Sequence, residues 1–178
     1  MTSPLPRFRA GRTLGLALAL GAGLLLPGCM GYRVGSMLPP DLKTVYVPTF
    51  INLTGEPQIE TEVTRATVEA IQVDHSLEVA AEAGADAILY VTLLKYDLAP
   101  LVYQKERKTA ATEYRLVLTA SVILKRRSDG KVLVDACPVS GDWTFPVVGD
   151  FTSSKVEGLP NVARELAKYI VERITDSW

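Results

Sequence analysis

The sequence predicts an α+β domain in which two helices pack on one face of a mostly antiparallel, mixed sheet of four to five strands, in the order β-α-β-β-β-β-α. Three observations carry this. Apolar residues recur at helical spacing in two places, at Ile59, Val63, Ala66 and Ala70, and at Leu159, Val162, Ala163, Leu166, Ile170 and Ile174. Between them lie two long β-branched, aromatic and alternating runs, Ala85 to Tyr103 and Ala111 to Arg127. Asp129-Gly130 then marks a tight hairpin before another apolar run.

Taken in order, "KTVYVP" (Lys43 to Pro48) is a short strand stopped by proline. After "TFINLTGEP" a helix begins and runs to about Val73. Thr54 or Gly55 suits its cap, Glu56 suits the positive end of its dipole, and Pro57 is tolerated in a first turn. "LEVAA" (Leu77 to Ala81) is a short strand before a turn at Gly84, and Ala85 to Tyr103 is a long strand with a bend expected near Pro100. "QKERK" (Gln104 to Lys108) reads as a hairpin connection. The strand from Ala111 to Arg127 exceeds the usual five or six residues, and Lys131 to Val139 returns beside it. The last helix is expected from Leu159 to Thr175, with Pro160 in its first turn.

The sheet has apolar residues to spare. Ile88, Tyr90 and Leu94 alternate with Leu89, Val91 and Leu93, and Val117 and Ile123 lie opposite the face of Leu116, Leu118, Ala120, Val122 and Leu124. Two helices cover one face, and strands buried on both faces read as near-continuous apolar runs. The second face therefore meets something else, or the sheet curves over itself, or a second copy covers it.

Residues 1–28 have a basic start (Arg7, Arg9, Arg12), an apolar run from Thr13 to Leu26 and small residues before Cys29, the layout of a secretory signal. The run of 14 residues reaches about 21 Å, short of a hydrocarbon core of about 30 Å. Leu26-Pro27-Gly28-Cys29 resembles the bacterial lipobox, which implies a diacylglycerol on the Cys29 thiol, cleavage before it and an N-acyl chain on the new amine. Several chains together make a stable anchor where one is marginal. Met30, rather than Asp, at the second mature position points to the outer membrane. Residues 29–41, with Gly31, Gly35, Ser36, Pro39 and Pro40, form a tether, and 42–178 form one domain.

Losing the three arginines of the signal leaves 16 basic against 20 acidic residues, a net charge of −4, which disfavours a nucleic-acid partner. With Cys29 acylated, Cys137 and His75 are one thiol and one imidazole, too few for a disulfide or a metal cluster. His75 fits a helix end and Cys137 a small residue in a strand. No hydrolase elbow, phosphate-binding glycine loop or zinc-protease motif is present, so no catalytic residues, metal or other cofactor are expected. Basic charge gathers at two strand ends, Lys105, Arg107 and Lys108 in one connection and Lys125, Arg126, Arg127 and Lys131 about the Asp-Gly turn. Such groups suit phosphate and carboxylate; equally, they keep strand ends soluble and unpaired.

The stretch Cys29 to Ala66 resembles the LptE family of lipopolysaccharide-assembly lipoproteins. The matching features are the lipid cysteine with Gly31-Tyr32-Arg33 close behind, "VYVPTF" followed by Asn52 and Thr54, and Pro57 and Glu60 opening a helix. Beyond it the element order, "ADAILYVTL", the paired long strands and the terminal "IVERITDSW" also match, so the likeness covers nearly all of the mature chain. Met30 between the cysteine and Gly31 departs from the pattern. The resemblance implies a plug inside the outer-membrane β-barrel LptD that assists barrel assembly and insertion of lipopolysaccharide into the outer leaflet, with LptD, lipopolysaccharide and the outer membrane as partners. It would also supply a cover for the second sheet face. The lipopolysaccharide-binding role of the two basic sets is inferred from charge and is not carried over from the family. Another periplasm-facing outer-membrane lipoprotein, a structural subunit of an envelope or secretion complex, would share signal, tether and domain. A lipid-anchored enzyme would need a pocket with convergent polar groups.

Overall fold

The computed structural model describes residues 38–39, 41–103 and 111–176. The signal, Cys29, most of the tether and the connection bearing Lys105, Arg107 and Lys108 lie outside the described residues.

The sheet is built on three long antiparallel strands, β4 (Ala87–Tyr103), β5 (Ala111–Arg126) and β6 (Val132–Pro146). Three short ones lie beyond β4: β1 (Thr44–Tyr46), β2 (Ile51–Asn52) and β3 (Glu78–Val79). β1 pairs parallel with both β3 and β4, and β2 pairs parallel with β4 further along the same edge, so the order is β3-β1-β4-β5-β6 with β2 beside β4. The expected α+β class and element order are present, with β2 as an addition inside what reads as loop. A two-residue parallel pairing leaves no periodicity to read; Ile51 and Asn52 extend because Thr92 and Leu93 lie beside them.

Helix α1 (Ile59–Asp74) buries Ile59, Val63, Ala66 and Ile71. Its start differs from expectation: Gln58, at φ 63°, is the cap, with no side-chain cap bond, and Pro57 precedes the helix. Thr54 is instead spent on the preceding turn. The helix ends at His75, also left-handed (φ 64°), whose N–H donates to the Ile71 carbonyl at 3.2 Å. Strand β3 is shorter than expected because a 3-10 turn takes over at Glu82–Gly84.

Along β4, Ala87, Leu89, Val91 and Leu93 face the helices. A bulge at Leu94 then reverses the alternation, so that Tyr96 and Leu98 take over the core side opposite Leu118 and Leu116. Leu94 itself is 45% exposed. A second irregularity, between Pro100 and Val102, falls where the bend was expected.

Strand β6 runs seven residues past Val139, and helix α2 (Phe151–Thr175) starts eight residues before Leu159, carrying Pro160 in its interior. Asp150 caps it by accepting from the Ser153 N–H at 2.9 Å. Pro160 offers no N–H to the Val156 carbonyl, a loss that breaks an isolated helix. Packing on both sides of the proline offsets it: a Cβ added at Gly158 would lie 3.0 Å from the Phe145 ring, and the buried stripe Val162, Ala163, Leu166, Ala167, Ile170 and Ile174 follows. At Gly141 of β6 the helix backbone comes so close that an added Cβ would lie 2.4 Å from Leu166 N. Glycine alone permits this approach.

Both helices therefore share one sheet face. On the other, Tyr46, Ile88, Thr92, Ser121 and Ile123 are half-buried and Tyr90 is 43% exposed, and no described helix packs over them.

Candidate functional site

The β5–β6 hairpin brings one of the two basic sets together. The Arg126 N–H donates to the Lys131 carbonyl at 2.8 Å, Lys125 pairs with Val132, and Gly130 adopts φ 70° in the turn. The side chains then part. Arg126, with its side chain 20% exposed, reaches Asp41 at 3.4 Å and Asp129 at 3.3 Å. Its Nε is buried and has no hydrogen-bond partner. Arg127 donates from its backbone to the Asp86 carbonyl and from Nη1 to the Ala83 carbonyl, both at 2.8 Å, pinning the 3-10 turn. Between them lies a cleft of about 370 Å³, lined also by Asp41, Asp86 and Ser128.

This geometry divides the four cations. Arg126 already faces two carboxylates, so its charge is largely matched within the fold. The Lys131 N–H, and then Arg126, hold the Asp129 carboxyl below its ordinary value, keeping it ionised in the turn. Lys125 and Lys131 are exposed and form no ion pair among the described residues. An incoming anion would meet these two lysines first. Asp41 is the partner that sequence reading missed: it lies 85 positions before Arg126, and nothing local marks the pairing.

The β5–β6 turn lies at the opposite end of the ladder from Tyr103 and Ala111. Tyr103 and Ala111, which flank residues 104–110, pair at one end of the β4–β5 ladder, and Ala87 and Arg126 pair at the other. Fifteen strand steps separate Ala111 from Arg126, about 50 Å.

A second polar cluster organises the turn before α1. Asn52 Nδ2 donates to the Glu56 carbonyl (2.7 Å) and to Glu60 Oε2 (2.8 Å), while its Oδ1 accepts from Thr54 N and Oγ1 (3.0 and 2.8 Å). Glu56 in turn holds Lys155 of α2 at 2.8 and 2.9 Å, and that ammonium sits 5.3 Å from the centroid of Tyr96. Burial, and then the charge of Glu56, push the Tyr96 phenol up to about 12, and its hydroxyl is buried without a partner. The cluster ties β2, α1 and α2 together. Asn52, Thr54 and Glu60, three residues that carry the sequence resemblance, thus have a structural task here.

The family model for LptE, lipopolysaccharide-assembly, matches residues 42–177, most of the chain and all of the described sheet and helices. The chain belongs to the LptE family. No curated protein matches it. Among solved structures, a hypothetical protein of Chlamydia trachomatis superposes with a TM-score of 0.53 at 10% identity, over 75% of this chain and 96% of that one. A candidate lipoprotein of Caulobacter crescentus gives 0.50 at 14% identity, over 71% and 88%. At such identities the likeness is one of fold. PelC of Paraburkholderia phytofirmans, a dodecamer, gives 0.46 at 14% identity over 79% and 95%, too low to support any argument.

Proposed function

We propose that this LptE-family chain is a non-enzymatic outer-membrane lipoprotein whose domain sits inside the LptD β-barrel and assists the insertion of lipopolysaccharide into the outer leaflet. The observation that carries this is the family match over residues 42–177. In this reading residues 1–28 are removed, Cys29 carries the diacylglycerol and N-acyl chains, and the short tether leads to Leu42, which is already in the core.

The sheet face away from the helices supports a partner. Tyr90 and Ile123 pair on it, Tyr46 and Ile88 pair beside them, and Ile51 (57% exposed) and Leu53 (64% exposed) border the same side of β4. Covering several hundred Å² of such surface at about 25 cal/mol per Å² outweighs modest polar costs. Lys125 and Lys131 then contact phosphates of lipopolysaccharide at one end of the hairpin, with Arg126 and Arg127 holding the turn in place. Lys105, Arg107 and Lys108 are the second candidate set for the same contact.

The deciding experiment is a gentle-detergent pull-down of the tagged, lipid-bearing protein. Co-purification of one large heat-modifiable β-barrel in stoichiometric amount is the expected result. Recovery of a different envelope or secretion assembly, with no barrel, would replace this reading by that of a structural subunit elsewhere.

A further inference from the structure

On the solvent side of the helix layer a groove of about 490 Å³ separates α1 from α2. Small residues open it. Ala66 and Ala70 on α1 and Val171 on α2 form an apolar floor, and Val73, 78% exposed, continues it outward. The walls are charged, with the acids Glu69 and Asp74 along α1 and the bases Arg164 and Lys168, followed one turn on by Glu172, along α2. These walls do not close on each other: among the described residues no ion pair joins α1 to α2. Glu69 turns back to Arg65 on its own helix, Lys168 reaches Glu172 at 4.0 Å and lies 5.6 Å from the centroid of the Tyr169 ring, and Arg164 donates to Asn161 and the Pro160 carbonyl. Asp74 accepts the Ser76 N–H at 3.2 Å.

We infer that this groove binds a zwitterionic phospholipid, with an acyl chain on the Ala66–Ala70–Val171 floor, the phosphate toward Arg164 and Lys168 and the ammonium toward Glu69 and Asp74. Size separates this ligand from a docking helix. The α1 stripe from Ala66 to Asp74 rises through eight residues, about 12 Å. A helix laid along two turns buries far less than the roughly 1,200 Å² of a stable protein interface. A small amphiphile needs only a cleft of about 300–1,000 Å³ with an apolar floor and a few placed polar groups. All five charged residues of the lining are solvent-exposed, so the floor supplies most of the affinity and the walls set the headgroup's orientation.

The test is calorimetric titration of the full lipid-bearing chain, held in amphipol, with monomeric lysophosphatidylethanolamine below its micellar concentration. Lysophosphatidylglycerol, which lacks the ammonium, and lipopolysaccharide are run in parallel. Saturable one-to-one binding of lysophosphatidylethanolamine is expected. Ala70→Trp should weaken it by about tenfold or more by filling the floor, with thermal unfolding confirming that the variant folds. Lys168→Glu should weaken both lysolipids by about three- to fivefold, and Asp74→Asn only the ethanolamine form by a similar factor. Both substitutions lie on exposed positions and keep the test open should Ala70→Trp not fold. Absence of saturable binding, or binding indifferent to all three variants, overturns the inference. So does binding of lipopolysaccharide alone. The barrel pull-down reads a different surface, so either proposal can fail without the other.

Discussion

Substituting Gly141 by alanine tests how α2 is seated on the sheet. The added Cβ would lie 2.4 Å from Leu166 N, 2.6 Å from its Cα and 2.9 Å from its Cβ. Ordinary contact begins near 3.4 Å, so roughly 1 Å of separation must be found. The obstructing atoms are mostly helix backbone, held by the buried Val162, Ala163, Ala167 and Ile170, so no rotamer change relieves the clash. Overpacking of this kind costs about 1–3 kcal/mol, and replacing a strand glycine returns about 0.5–1 kcal/mol through the unfolded chain. The net loss is about 1–2 kcal/mol, a fall in Tm of roughly 3–10 °C for a domain of this size. Thermal and urea unfolding followed by circular dichroism measure it directly. Gly84→Ala is the control: no atom lies within 4 Å of its added Cβ, and its effect should stay within about 0.5 kcal/mol. A Gly141→Ala variant as stable as the parent would show that α2 does not sit where the Gly141–Leu166 approach puts it.

Four further outcomes are expected. Cys29→Ser leaves no thiolate to alkylate, so the precursor keeps residues 1–28; intact-mass measurement of the wild type should show acyl chains, and an unmodified thiol in membrane-bound protein would end the lipoprotein reading. Asn52→Ala removes four hydrogen bonds from the half-buried turn and should destabilise by about 1–3 kcal/mol in chemical denaturation; a neutral result would contradict the stapling role. Asp86 accepts from Lys43 N, Thr44 N and Thr44 Oγ1 at 2.8–3.0 Å, which lowers its pKa in the fold. Its contribution is present above the ordinary value of 3.8 and is lost as pH falls through the lowered one, so Asp86→Asn should flatten the acid limb of the stability profile relative to wild type. Lys125→Glu with Lys131→Glu should weaken lipopolysaccharide binding about tenfold at low salt with little change in Tm, whereas Arg126→Glu should destabilise the fold by facing Asp41 and Asp129; equal binding in the double variant would return the lysines to solubility.

Local chemistry alone was enough to outline much of this protein. The stripe from Ile59 to Ala70, the alternation from Leu116 to Leu124 and the Asp-Gly turn each encode a period or a turn within a few residues, and α1, β5 and the hairpin appear there. The family resemblance was legible because its residues are neighbours in sequence: Asn52, Thr54 and Glu60 bond to one another's turn.

Tertiary structure decided the features whose cause is distant in the chain. The extra residues of β6 are strand because Tyr114, Leu116 and Leu118 offer paired partners, although Gly141 and Pro146 argue locally against it. Pro160 ends a helix in isolation, yet α2 continues through it because Gly158 meets Phe145 and the stripe beyond is buried. The bulge at Leu94 exchanges the faces of β4, which alternation by itself cannot register. In the basic hairpin the sequence counted four cations. The fold set Arg126, largely buried, against Asp41 and Asp129, and the exposed Arg127 against the Ala83 carbonyl, because burying a charge is costly unless packing brings an opposite charge beside it, and Asp41 and Ala83 are distant in the chain.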